Sequence, residues 1–128
     1  MTVTLGQLVQ YVLKNRRGKA FFNYTEEHVA YEIYEAAKEG TMLYAVDERG
    51  EICGIVVASK VEEMQMMFIK DILTTKAWAI KRFVEIFKKG WPDYRLRAQR
   101  WRGTDKNKPE LVDYKTERLC NKILTQKD

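Results

Sequence analysis

Apolar residues near the start of the chain recur at three- and four-residue steps. Leu5, Leu8, Val9, Val12 and Leu13 fall on one face, so the spacing predicts a helix over 4–14. Thr4 and Gln7 have the spacing of a capping box, and the run Asn15, Arg16, Arg17, Gly18 stops the helix. A second helix is predicted over 25–39. Thr25 caps its start, Glu26 and Glu27 suit the positive end of its dipole, and Gly40 is placed to end it. Its expected inner face is Val29, Ile33, Ala36 and Ala37.

The pattern then changes to strands. Residues 41–46 form the first, residues 47–50 a turn with Gly50 where a positive φ is wanted, and residues 51–59 the second. Gly54 interrupts the second strand, which points to a bulge or to close approach by another group. A third strand covers 65–73, and its imperfect alternation is that of a strand covered on both faces. A helix follows over 76–89 with Ile80, Phe83, Val84 and Phe87 as its stripe, ended by Gly90 and Pro92. Residues 94–101 alternate like a fourth strand, and 103–109 read as loop. Val112, Leu119, Cys120, Ile123 and Leu124 give a last helix over 110–124. The order is α-α-β-β-β-α-β-α. It predicts an α/β fold, with a mixed β-sheet and helices on both faces, in a single domain over 1–128.

Composition narrows the class. The chain has 128 residues, 45% hydrophobic and 32% charged, which is globular and long enough for one core. No apolar run has the length of a membrane span and no signal peptide is read, so a cytoplasmic protein with no membrane partner is expected. Cys53 and Cys120 are too few for a disulfide scaffold or a structural zinc site, and no His/Cys cluster points to a metal. Residues 1–69 carry a net −3 and residues 70–128 a net +8, which recovers the overall +5. An anionic partner near the second half (a nucleic acid or cofactor phosphates) fits this division, and so does an ordinary solvated basic face.

The element order and several local sequences resemble the GNAT acyltransferase superfamily. Leu43-Tyr-Ala-Val-Asp-Glu-Arg-Gly-Glu-Ile-Cys-Gly-Ile-Val-Val is similar to the family's hairpin, and Phe68-Ile-Lys-Asp-Ile-Leu-Thr74 to the strand that leads to acyl-CoA. The likeness covers about residues 4–102. It is closest to short, divergent members of the kind that phages and other mobile elements encode. The resemblance implies acetyl-CoA as the acyl donor and an amine as the acceptor. It implies that the end of the third strand and the first turn of the next helix, Leu73, Thr74, Thr75, Lys76, Ala77, Trp78 and Ala79, hold the pantetheine arm and the pyrophosphate. It implies proton transfer by Asp71 or Glu63 on the base side and by Tyr114 on the acid side, Asn107 and Tyr114 having the family's seven-residue spacing. As a plain residue, Asp71 is an edge-facing acid paired with a lysine, and Thr74 and Thr75 are a helix N-cap.

A second reading starts from the charge pattern. Arg95, Arg97, Arg100 and Arg102 interleave with Trp91, Tyr94 and Trp101, and along a strand Arg95, Arg97, Gln99 and Trp101 share one face. Arginine forks bind phosphates and an indole stacks on bases, which makes this a nucleic-acid or protein-partner surface on a catalytically degenerate GNAT-like frame. The absence of any glycine between Gly54 and Gly90, where the family has a glycine loop, is the ground for that reading. The same arginines also serve as solvated charges protecting a sheet edge, and an exposed strand over 94–101 would allow a homodimer by strand pairing. His28 is the only histidine and reads as a helix residue, Cys53 reads as core, and Tyr24, Tyr31 and Tyr34 either line an acceptor site or pack.

Overall fold

A computed structural model describes residues 3–16, 20–101 and 109–113. Helices α1 (Leu5–Asn15) and α2 (Glu26–Glu39) precede strands β1 (Met42–Val46) and β2 (Ile52–Val61). A one-turn 3-10 helix (Glu62–Met64) leads into β3 (Met66–Thr74), followed by α3 (Ala77–Gly90), β4 (Arg95–Trp101) and β5 (Pro109–Asp113). The chain is therefore α/β. Its five strands form one mixed sheet in sequence order, antiparallel except for the parallel pair β3–β4 that α3 connects.

The local signals act as the sequence reads. Thr4 and Gln7 close a reciprocal capping box on α1. The Thr25 hydroxyl accepts the His28 N–H at the start of α2, and Gly40 ends that helix at φ 77°. Gly50 has φ 81° in the β1–β2 turn, where the Asp47 carboxylate accepts the N–H groups of Arg49 and Glu51. Ala37 differs from expectation: it is exposed, and the buried stripe of α2 is Val29, Ile33 and Ala36.

Each sheet face carries its own core. α1 and α2 cover one face with Leu8, Val9, Val12, Phe21, Val29 and Ile33, packed on Ile55 and Val57 of β2. α3 covers the other with Ala79, Phe83, Val84 and Phe87, packed on Val56, Ala58, Met67, Ile69, Leu96 and Ala98. Gly54 explains how closely α3 sits: a Cβ there would lie 3.1 Å from Ala79 Cβ and from Thr74 Cγ2, and 3.3 Å from Phe83 Cε2.

Two bulges shift the register. Ala45 faces Gly54 while Val46 faces Ile52, so Cys53 is an extra residue in β2. Val57 faces Asp71 while Ala58 faces Ile69, so Lys70 is an extra residue in β3. Ile69 and Ile72 both pack on the α3 side, which leaves Lys70 and Asp71 turned together toward α2. The irregular alternation of this strand thus comes from a bulge as well as from two covered faces.

Two expectations are corrected. Residues 109–113 are a strand antiparallel to β4, not the start of a helix; residues 114–124 of that expected helix lie outside the described residues. Strand β4 is not an edge. It lies between β3 and β5, so its backbone is already paired on both sides and a homodimer by pairing over 94–101 has no free edge to use.

Candidate functional site

The bulge concentrates charge in the middle of the sheet. Asp71 accepts the Phe21 N–H at 2.8 Å, and the Tyr24 hydroxyl donates to the same carboxylate. Lys70, beside it, is ion-paired with Glu32 of α2. His28 Nε2 lies 3.5 Å from the other Glu32 oxygen, and its ring stacks on Tyr24 with centroids 3.8 Å apart. Burial pushes the Asp71 carboxyl up to about 6; the Glu32 charge adds to this, while the Phe21 N–H, Lys70 and Tyr24 oppose it. Burial, with the Asp71 and Glu32 charges behind it, pushes Tyr24 up to about 12. The pair is a carboxyl that titrates near neutrality beside a phenol that keeps its proton.

The segment before α2 holds this arrangement. Phe21 is fully buried, and Phe21 and Asn23 have φ 54° and 61°, a region that non-glycine residues occupy at a cost. Arg16, which ends α1, donates to the Phe21 and Tyr24 carbonyls at 3.3 and 2.7 Å. The Asp71 contact closes the clamp from the sheet side.

The β3–β4 register ends at this cluster. Its register runs from Met66 opposite Arg95 to Ile69 opposite Ala98. β3 continues to Thr74 and β4 to Trp101, and among the described residues 70–74 have no register partner in β4. The register with β4 ends where the bulge begins, a feature that bends a strand and increases its local twist. On its other side β3 stays paired with β2 as far as Thr74 opposite Gly54.

β3 then runs into α3. Lys76 is the N-cap, and no side chain caps this helix. Neither Thr74 nor Thr75 is the cap expected of it: Thr74 ends β3, and Thr75 turns its N–H and hydroxyl to the Cys53 carbonyl at 2.9 and 3.3 Å. Tyr11 of α1 reaches the Thr75 hydroxyl at 3.5 Å, and burial raises the Tyr11 pKa. A cleft of about 1160 Å³ borders this junction, with Tyr11, Lys14, Arg49, Thr75 and Lys76 among its walls. Trp78 packs on the α3-side core, as does Ala79.

The other expected residues divide. Leu73 packs on the α1/α2 side and Ala77 opens α3. Glu63 is exposed on the 3-10 turn ahead of β3, lining a shallow recess with Glu39, Lys60 and Glu62. Asp71 is half-buried against the Phe21 N–H rather than ion-paired at an edge, and the neighbouring lysine is engaged by Glu32. Leu96 and Ala98 face α3, so Arg95 and Arg97 stand on the opposite face, Arg95 exposed. Arg100 and Trp101 belong to β4. Arg102, Asn107 and Tyr114 lie outside the described residues. Tyr31 and Tyr34 are exposed, whereas Tyr24 meets Asp71. Glu32 and its tie to Lys70 escape a reading of the sequence; adjacent Lys70 and Asp71 inside an apolar strand were the one signal of it.

Among the described residues no group of three His, Cys, Asp or Glu side chains could hold a metal ion. No helix among them is long and apolar enough to cross a membrane. No family model matches the chain, and no curated protein matches it in sequence.

Proposed function

We propose that this chain is a GNAT-like N-acyltransferase that takes its acyl group from acyl-CoA. The observation that carries the reading is the end of the β3–β4 register after Ile69 and Ala98, with a helix start that no side chain caps at the end of β3. The β4-facing main-chain groups along 70–74, without a register partner in β4 among the described residues, suit an amide-bearing pantetheine arm. The first-turn amides of Ala77 and Trp78 suit a diphosphate, with Lys76 beside them. Thr75 and Ala79 contribute shape rather than amide donors, because their N–H groups already meet the Cys53 and Lys76 carbonyls. Leu73 and Thr74 form the floor.

The chemistry assigned to the site is direct transfer. Asp71 takes a proton from the acceptor ammonium. The amine nitrogen bonds to the thioester carbonyl carbon, the carbon–sulfur bond breaks, the thiolate leaves with a proton from a tyrosine, and the second proton shed by the acylated nitrogen restores that phenol. Tyr114 holds that last role by resemblance. Tyr24, already beside Asp71, is the alternative donor. Glu63, out on the 3-10 turn, is the other candidate for the base.

Isothermal calorimetry with acetyl-CoA tests the reading. Micromolar binding is expected. No heat and no thermal shift at millimolar acetyl-CoA would remove the transferase and leave the fold.

One observation favours a second reading: Arg95 and Arg97 share a sheet face away from α3. On that reading the frame has no donor site and holds an anionic partner through β4, including Arg100 and Trp101, with Arg102 next in sequence. A gel-shift series with single-stranded nucleic acid is then expected to show retardation that weakens steeply with salt. Retardation without a salt slope, or none, counts against it.

A further inference from the structure

Lys70 and Asp71 are neighbours in sequence, and the bulge turns both toward α2. A lysine and an aspartate so placed would ordinarily neutralise each other. Here they do not. The Lys70 ammonium is held by Glu32, one turn along α2 from His28, which backs the same carboxylate. Among the described residues, the hydrogen-bond donors to Asp71 are the uncharged Phe21 N–H and Tyr24 hydroxyl. Glu32 is the less exposed partner of its pair, which keeps its attraction for Lys70 from being screened by water.

We infer that Glu32 is a positioning residue that withholds Lys70 from Asp71, so that the carboxylate of Asp71 stays free to take up a proton. This deepens the acyltransferase reading and rests on it for the role of Asp71 as base. The electrostatic relation itself does not depend on any bound donor. The charged and titratable groups facing Asp71 are Tyr24 from the segment before α2, His28 and Glu32 from α2, and Lys70 from β3. Arg16 holds the carbonyls of the same segment, and Arg97 of β4 lies on this sheet face opposite Phe68.

Two effects follow from removing the Glu32 charge, and both act in one direction. A negative neighbour disappears, and Lys70 is released to swing onto Asp71. Each favours the ionised Asp71.

The test is the carboxyl carbon titration of Asp71 by NMR on the unliganded full chain, in wild type, Glu32→Gln, Lys70→Met and the double variant. Wild type is expected to titrate near pH 6. Glu32→Gln is expected to lower the midpoint to about 5 or below. The lowering is expected to be smaller when Glu32→Gln is made in the Lys70→Met background, because no lysine is then available to move. An unchanged or raised midpoint in Glu32→Gln overturns the inference. Equal lowering in both backgrounds also overturns it, since Glu32 would then act only as a charge. If Glu32→Gln does not fold, Glu32→Asp serves. It keeps the charge but retracts it from Lys70 by a methylene, and an unlowered midpoint there is equally fatal. The titration needs no acyl-CoA, so its outcome is separate from whether the chain binds that donor.

Discussion

Asp71→Asn is expected to make the protein more stable at pH 8 and inactive as a transferase. The folded environment raises the Asp71 carboxyl from 3.8 to about 6, chiefly by burial. A group with a raised folded pKa binds its proton more tightly in the native state. Its stabilising effect is complete below the unfolded value and is lost as pH climbs through the folded one. Between about pH 4 and pH 6 the wild type therefore surrenders about 2–3 kcal/mol at this site as it is made more alkaline. An asparagine carries no charge to bury, and its side-chain oxygen still accepts the Phe21 N–H that Asp71 accepts at 2.8 Å. Urea unfolding at pH 4.5 and pH 8 reads the effect. The difference between variant and wild type is expected to favour the variant more at pH 8 than at pH 4.5. A variant less stable than wild type at pH 8 would mean that the ionised carboxylate is held favourably and is no poised base. Loss of acetyl transfer in the stabilised variant would place Asp71 in the chemistry, a trade of stability against activity common at working sites.

Gly54→Val is expected to cost about 3 kcal/mol. The first side-chain carbon alone meets Ala79 and Thr74 at 3.1 Å and Phe83 at 3.3 Å. Ala79 and Phe83 are both almost wholly buried, so neither has room to retreat. The two further methyls of valine push the start of α3 off the sheet. The loss is expected to fall on acetyl-CoA affinity as well as on the unfolding midpoint, because the displaced turn is the one assigned to the diphosphate. Gly90→Ala is the control. Nothing lies within 4 Å of a Cβ there, and the change is expected to be neutral or slightly stabilising. Equal unfolding midpoints for Gly54→Val and Gly90→Ala would refute the close approach of α3.

Much of the frame was legible because it is encoded locally. The Thr4–Gln7 box, the Thr25 cap, Gly40 and Gly50 each meet a need of their own backbone. The stripes of α1 and α3 follow from a 3.6-residue period. What escaped is set by distant partners. Thr75 has the chemistry of a helix cap, but the Cys53 carbonyl across the sheet claims its hydroxyl. Residues 109–113 read as helical only through apolar residues further along, and pairing with β4 overrides that pattern. Asp71 stood out as a charge inside an apolar strand, yet its neighbours Phe21 and Glu32 come from 50 and 39 positions earlier in the chain. The direction of its side chain hangs on a bulge that period-2 reasoning does not contain.

That extra residue also decides what a change of length in the gene takes away. A codon gained or lost in the Asp47–Gly50 turn alters a solvent-facing link and leaves the sheet in phase. Loss of the Lys70 codon takes out the residue of β3 that has no partner in β2, so Asp71 keeps its place opposite Val57 and its face, and what goes is the ion partner of Glu32. Frame and strand pairing come through both deletions, and only the second leaves Glu32 without its lysine.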